Sequence, residues 1–140
     1  MIGIVDDWKK ATTSTPATPK VAFVAKPAEY EDFNQQLIKK ENINFVSRIM
    51  SMQKLHKAYA VTGAICTAVA AKIEGTIVNE VFESKNSKEI TFAHPLGTIS
   101  VEIKVEKKKE KIFLEKAAIG RTARRIMDGF AYIPDRVWTT

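Results

Sequence analysis

From residue 64 to residue 73 nearly every side chain is small or apolar: Ala64-Ile65-Cys66-Thr67-Ala68-Val69-Ala70-Ala71-Lys72-Ile73. A helix with so little polar surface has no face to offer water and must be buried nearly all round. The spacing predicts a helix over about residues 63–73 as the central axis of the domain. Thr62 stands where an N-cap is wanted and Gly75 where the helix should end. The mainly apolar run of residues 59–71 is shorter than the roughly 20 residues that cross a bilayer. The N-terminus also lacks a basic segment followed by a hydrophobic one, so neither membrane nor secretion is indicated.

Strands are expected on both sides of this axis in sequence. Val21–Ala25 is a compact apolar run, and residues 98–105 alternate cleanly. Ile99, Val101, Ile103 and Val105 are expected to face in, with Ser100, Glu102 and Lys104 facing out. Further strands are read at 76–82, 89–92, 111–116 and 130–133. Turns are read at 83–88, at His94-Pro95-Leu96-Gly97 and at 106–110. Residues 42–52 carry Ile43, Val46, Ile49 and Met50 at helical spacing, with Asn42 or Asn44 as caps, and read as an amphipathic helix. Residues 29–40 read as a loop or a surface helix. The sum is an α+β domain in which a sheet wraps one buried helix, without alternating βαβ units. With 140 residues, 45% of them apolar, one sizeable core is expected. Residues 1–20 read as a linker, 21–134 as the domain and 135–140 as a tail.

The formal net charge of +6 raises the question of nucleic acid. Much of it comes from Lys104, Lys107, Lys108, Lys109, Lys111 and Lys116, interspersed with Glu102, Glu106, Glu110 and Glu115, which reads better as a solvated hairpin. Basicity gathered around a small polyanion is the second reading, and a nucleic-acid binder ranks last. Cys66 is the one cysteine, which excludes an internal disulfide and a zinc knuckle and fits a reducing, cytoplasmic setting. One turn into the apolar helix, it is expected as a core filler, not an activated thiolate. No Gly-rich phosphate loop, paired His/Cys metal pattern or Gly-x-Ser-x-Gly elbow is present. An enzyme of this composition has to work by acid/base chemistry with its own side chains, and neither metal nor cofactor is expected.

The start of the apolar helix is the strongest candidate for chemistry. A helix N-terminus offers unpaired amides and about half a positive charge, so Val61-Thr62-Gly63-Ala64 can receive an anion, with Gly63 permitting close approach. Lys54 and His56 precede it closely enough to complement a carboxylate. Composition alone favours the plainer reading, in which Thr62 only caps and Gly63 only fits tight packing. His56, a lone histidine between Lys54 and Lys57, is more often a surface or packing residue. His94 before Pro95 reads as a turn residue, and Arg121, Arg124 and Arg125 as a structural or interface cluster.

Read in order, residues 50–64 (Met50-Ser51-Met52-Gln53-Lys54-Leu55-His56-Lys57-Ala58-Tyr59-Ala60-Val61-Thr62-Gly63-Ala64), Gly75-Thr76-Ile77-Val78-Asn79, His94-Pro95-Leu96-Gly97 and residues 120–129 (Gly120-Arg121-Thr122-Ala123-Arg124-Arg125-Ile126-Met127-Asp128-Gly129) resemble the C-terminal half of the PrpF family. That family includes 2-methylaconitate isomerases, methylitaconate isomerases and oxalomesaconate tautomerases. The resemblance implies a diaminopimelate epimerase-like fold: two similar lobes, each a mixed β-sheet rolled around a central helix, with substrate in the cleft between them. It implies a cofactor-independent allylic proton shift in an unsaturated di- or tricarboxylic acid, needing a base, an acid and stabilisation of dienolate-like charge. In that scheme Thr62, Gly63 and the following amides, Ala64 included, bind a substrate carboxylate while Met52, Lys54 and His56 line the cleft. The sequence departs from related epimerases at Ala60, where a catalytic cysteine would precede Thr-Gly by two residues, so two-thiol racemisation is not supported. The resemblance places the proton-transferring lysine and cysteine in an N-terminal lobe, and Met1 falls about where the lobe connection is expected. The expectation is therefore a C-terminal lobe, inactive unless completed by an N-terminal lobe, with pairing to a second copy as a separate expectation. The alternative is a non-catalytic, carboxylate-binding or self-associating domain.

Overall fold

The computed structural model describes residues 3–84, 87–108 and 111–137. Residues 85–86 of the expected turn at 83–88, 109–110 of that at 106–110, and the last three residues of the expected tail lie outside the described residues. Helical turns at Trp8–Lys10 and α1 (Ala11–Ser14) occupy the stretch read as a linker. Eight strands follow in the described residues: β1 (Val21–Ala25), β2 (Tyr30–Glu31), β3 (Leu37–Ile38), β4 (Phe45–Ser51), β5 (Lys54–Leu55), β6 (Glu89–His94), β7 (Gly97–Lys108) and β8 (Lys111–Ile119). Between β5 and β6 come α2 (Val61–Ala71) and α3 (Ile77–Val81). The main sheet runs β1-β4-β6-β7-β8, with β5 also on β4, and β2 pairs with β3 in a separate hairpin.

β4 is the pivot of the sheet. The helix expected over residues 42–52 is instead this strand, with Phe45, Ser47 and Ile49 buried at every second position. The alternation is hidden in the sequence because its middle inward residue is a serine. Ser47 is tolerated in the core because its Oγ bonds the Phe23 carbonyl at 3.2 Å and the Tyr59 hydroxyl at 2.8 Å. Asn44 is no helix cap. Its Oδ1 accepts from the Thr91 amide at 2.8 Å and its Nδ2 donates to the Glu83 carbonyl at 3.0 Å.

β1 lies antiparallel along one edge of β4, while the other edge changes partner part way along. β6 runs parallel to it at Phe45↔Phe92 and Val46↔Ala93, and β5 pairs antiparallel at Met50↔Leu55 and Ser51↔Lys54. The parallel pair is joined through α2 and α3, a single crossover connection. β6, β7 and β8 then form an antiparallel meander. Ile99, Val101, Ile103 and Val105 turn inward as expected, and on the exposed side Lys104–Glu115 and Lys116–Glu102 pair across β7 and β8.

The sheet curls against α2, whose core contacts centre on Phe45, Phe92, Ile90 and Val101. Phe45 stacks on Phe92 at 4.8 Å, and Tyr59 meets Phe92 edge-on at 4.9 Å. The expectation of a helix buried all round needs correction, since the buried stripe is Ala64, Thr67, Ala68 and Ala71, while Thr62 and Cys66 are exposed. Alanines let the helix approach the sheet closely on that stripe, and among the described residues nothing covers the opposite side. Cys66 is therefore a surface thiol, not a core filler.

Three further readings are corrected. Residues 76–82, read as a strand from their β-branched content, form α3, because Thr76 Oγ1 caps it by accepting from the Asn79 amide at 3.1 Å. Residues 29–40 hold the β2–β3 hairpin, pinned by Asp32 Oδ1 accepting from the Asn34 and Gln36 amides. Residues 130–133, read as a final strand, pair with no other strand among the described residues. Phe130 and Tyr132 there are 100% and 99% exposed, so the extended sequence is present without an edge to receive it.

Candidate functional site

α2 begins two residues before the expected start. Ala60 is the N-cap and offers no side-chain acceptor, so Thr62 lies inside the first turn and does not cap it. Ala64 donates its amide to the Ala60 carbonyl at 2.8 Å and buries its methyl in the core. Helix geometry leaves the amides of Val61, Thr62 and Gly63 without an intrahelical acceptor. Downstream, α2 ends at Ala71 with Lys72 as C-cap, and Gly75 (φ +82°) serves the turn into α3 instead of terminating α2.

This helix start sits beside the far end of β4. A Cβ on Gly63 would lie 2.7 Å from Ile49 Cδ1, so the first turn rests directly on that side chain. The Ile49 carbonyl accepts from the His56 amide at 2.9 Å, extending the β4–β5 pairing by one residue. Opposed residues of an antiparallel pair point to the same side. Lys54 (opposite Ser51) and His56 (opposite Ile49) therefore share the sheet face on which α2 lies. His56 Nδ1 donates to the Ala58 carbonyl, which leaves Nε2 as the basic nitrogen of the neutral ring.

Met52 is placed differently. With Gln53 it forms the two-residue turn between β4 and β5, both at positive φ (50° and 62°). With Met50 and Gln53 it lines a cavity of about 220 Å³, bounded across the way by Thr12, Thr15 and Pro16. Gln53 Nε2 donates to the Thr12 carbonyl at 3.1 Å. The structure thus gathers Lys54, His56, Thr62 and Gly63 around the end of β4, sets Met52 toward the N-terminal segment, and assigns Ala64 to the core.

Sequence reasoning missed the residues that hold this arrangement. Tyr59 bonds Ser47 Oγ and, at 3.1 Å, Thr67 Oγ1, fastening the helix to β4. Arg48 lies over the Tyr30 ring at 4.9 Å and donates to the carbonyls of Ser47 (2.9 Å) and Ala93 (3.3 Å), where β4 changes partner. An aromatic residue two before the helix start was the available signal for Tyr59. Nothing local marked Arg48.

The site is thus a curled α+β lobe whose central helix starts without a side-chain cap, its Gly63 against Ile49 of the strand that pairs with the segment bearing Lys54 and His56. The chain belongs to the PrpF protein family, whose model matches residues 1–134. It is 44% identical over 134 residues to the 3-methylitaconate isomerase of Eubacterium barkeri, covering 94% of this chain and 34% of that protein. It is 35% identical over 117 residues to the 2-methyl-aconitate isomerase of Shewanella oneidensis, covering 84% of this chain and 30% of that one. A crystal structure of methylitaconate-delta-isomerase superposes with a TM-score of 0.78 at 41% identity, over 96% of this chain and 34% of that one. The chain thus spans about a third of the length of the relatives it matches. Among the described residues no helix is long and apolar enough to cross a membrane.

Proposed function

We propose that this chain is the carboxylate-binding C-terminal lobe of a cofactor-independent isomerase that shifts a proton along the allylic system of an unsaturated di- or tricarboxylic acid. The observation that carries the reading is the uncapped start of α2, whose Gly63 rests on Ile49 of β4, the strand that pairs with the segment bearing Lys54 and His56. The amides of Val61, Thr62 and Gly63 would hold one substrate carboxylate, with the helix dipole and the Lys54 ammonium opposing its charge. His56 Nε2 would reach a second carboxylate or the developing enolate oxygen as a hydrogen-bond partner. These groups bind and polarise. A base and an acid at the reacting carbons would come from a second, N-terminal lobe, since Ala60 offers no thiol here. The isomerase relatives and the family match support this reading.

Mixing the chain with a separately produced N-terminal lobe of a PrpF relative, and following isomerisation of aconitate-type acids by ultraviolet absorbance, tests it. The expected result is a rate well above either half alone. The competing reading, a carboxylate-binding domain without chemistry, predicts calorimetric binding of tricarboxylates but no such rate.

A further inference from the structure

His94 ends β6, and the residue is 7% exposed, on the side of the sheet that carries α2. Its Nδ1 accepts from the Leu96 amide at 3.2 Å, so the neutral ring carries its proton on Nε2. The ring centroid lies 6.4 Å from that of Tyr59, the residue that fastens α2 to β4, and the ring also meets the backbone of Lys57 and of Thr98. The Tyr30 hydroxyl donates to the His94 carbonyl and holds the strand end from the other face. One buried imidazole thus touches the β6–β7 turn and the segment that runs from β5 into α2.

We propose that His94 is a positioning residue, tying residues 57–59, and with them the first turn of α2, to the β6–β7 turn. No contact with substrate is assigned to it. The consequence for ligand binding rests on the carboxylate-site reading above, but the tie itself can be measured without a ligand.

The groups facing the ring set its response to pH. Burial is the largest influence and holds the imidazole below its ordinary pKa, the backbones of Lys57 and Thr98 act the other way, Arg48 on β4 lowers it further and Asp32 on the β2–β3 turn raises it. Tyr59 and the Tyr30 hydroxyl complete its surroundings. With the folded value depressed, the unfolded chain binds the extra proton first. The tie is therefore intact above about pH 6.5 and is lost as pH falls below it. A proton on Nδ1 would also oppose the Leu96 N–H.

The test compares the whole chain with His94→Asn and His94→Gln, reading amide exchange corrected for intrinsic rates at His56 and Ala64, whose amides bond Ile49 and Ala60. Asparagine can accept from Leu96 but does not reach Lys57, whereas the glutamine amide can reach it. In the parent, protection at Ala64 is expected to fall between pH 7.5 and 5, and that of Ile90 and Val101 to fall with it, because global unfolding also frees the ring. At pH 7.5 His94→Asn should lose tenfold at Ala64, with His94→Gln within threefold of the parent and nearly flat with pH. Equal protection at Ala64 in all three, or a loss in His94→Gln as large as that in His94→Asn, would overturn the proposal. Should His94→Asn fail to fold, the parent's pH profile and His94→Gln still decide it. Citrate titration of the same samples is read separately: no heat in any of them counts against the carboxylate site and leaves the exchange result standing.

Discussion

Gly63 answers to two demands, and the packing demand can be measured. Its Cα faces Ile49 so closely that an added methyl would meet Cδ1 at 2.7 Å. Overpacking a core typically costs about 1–3 kcal/mol, while alanine gains up to about 1 kcal/mol over glycine inside a helix. Gly63→Ala is expected to destabilise the fold by about 1 kcal/mol in urea unfolding. Ile49→Val removes the obstructing methyl at a cost of about 1 kcal/mol on its own. The double variant should be less destabilised than the sum, with a coupling of about 1 kcal/mol. Strict additivity would show that the first turn does not rest on Ile49. A helix start near Thr62-Gly63 was legible in the sequence because a polar pair precedes a long apolar run. That Ala60 would occupy the cap position was not, since the choice is made by Tyr59 locking onto Ser47 and Thr67, residues 12 and 8 positions away.

At the level of elements, the attachment of α2 to β4 runs through the Tyr59 hydroxyl. Tyr59→Phe keeps the ring on Phe92 but leaves Thr67 Oγ1 without that partner, while Ser47 retains the Phe23 carbonyl. A loss of about 1–2 kcal/mol is expected, seen as a lower denaturation midpoint at unchanged slope. The β4–β5 turn predicts the opposite sign. Met52 and Gln53 both hold left-handed backbone, which Asn-Gly adopts with least strain in a two-residue hairpin. Met52→Asn with Gln53→Gly should therefore raise stability by about 1 kcal/mol, partly offset by loss of the Gln53–Thr12 bond. An unchanged or lower midpoint would show that the turn is not strained. The elements that sequence revealed and those it concealed differ in one respect. β1 and β7 advertise themselves through uninterrupted apolar runs or clean alternation. β4 hides an inward serine that only Tyr59 and Phe23 satisfy, and α3 is a run of β-branched residues that becomes helical because Thr76 caps it. At β4 tertiary partners overrode the local pattern, and at α3 a local cap overrode β propensity.

For the whole molecule, the decisive feature is the segment from Gly120 to Pro134, which forms neither helix nor strand and carries Ile126, Met127, Phe130 and Tyr132 at 86% exposure or more. A contiguous set of large apolar side chains held in water marks a surface that associates with something. Under the proposed function, a completing N-terminal lobe is the partner this surface would meet. Because Phe130 and Tyr132 bury nothing within the described residues, Phe130→Ser with Tyr132→Ser should leave the unfolding midpoint of the isolated chain within error. The same pair should weaken association with an N-terminal lobe at least tenfold in sedimentation or titration, and reduce any restored isomerase rate with it. A fall in the isolated chain's stability would mean that these rings pack on its own core after all. Unaltered association would mean that the lobes meet elsewhere, through the exposed side of α2 at Thr62 and Cys66.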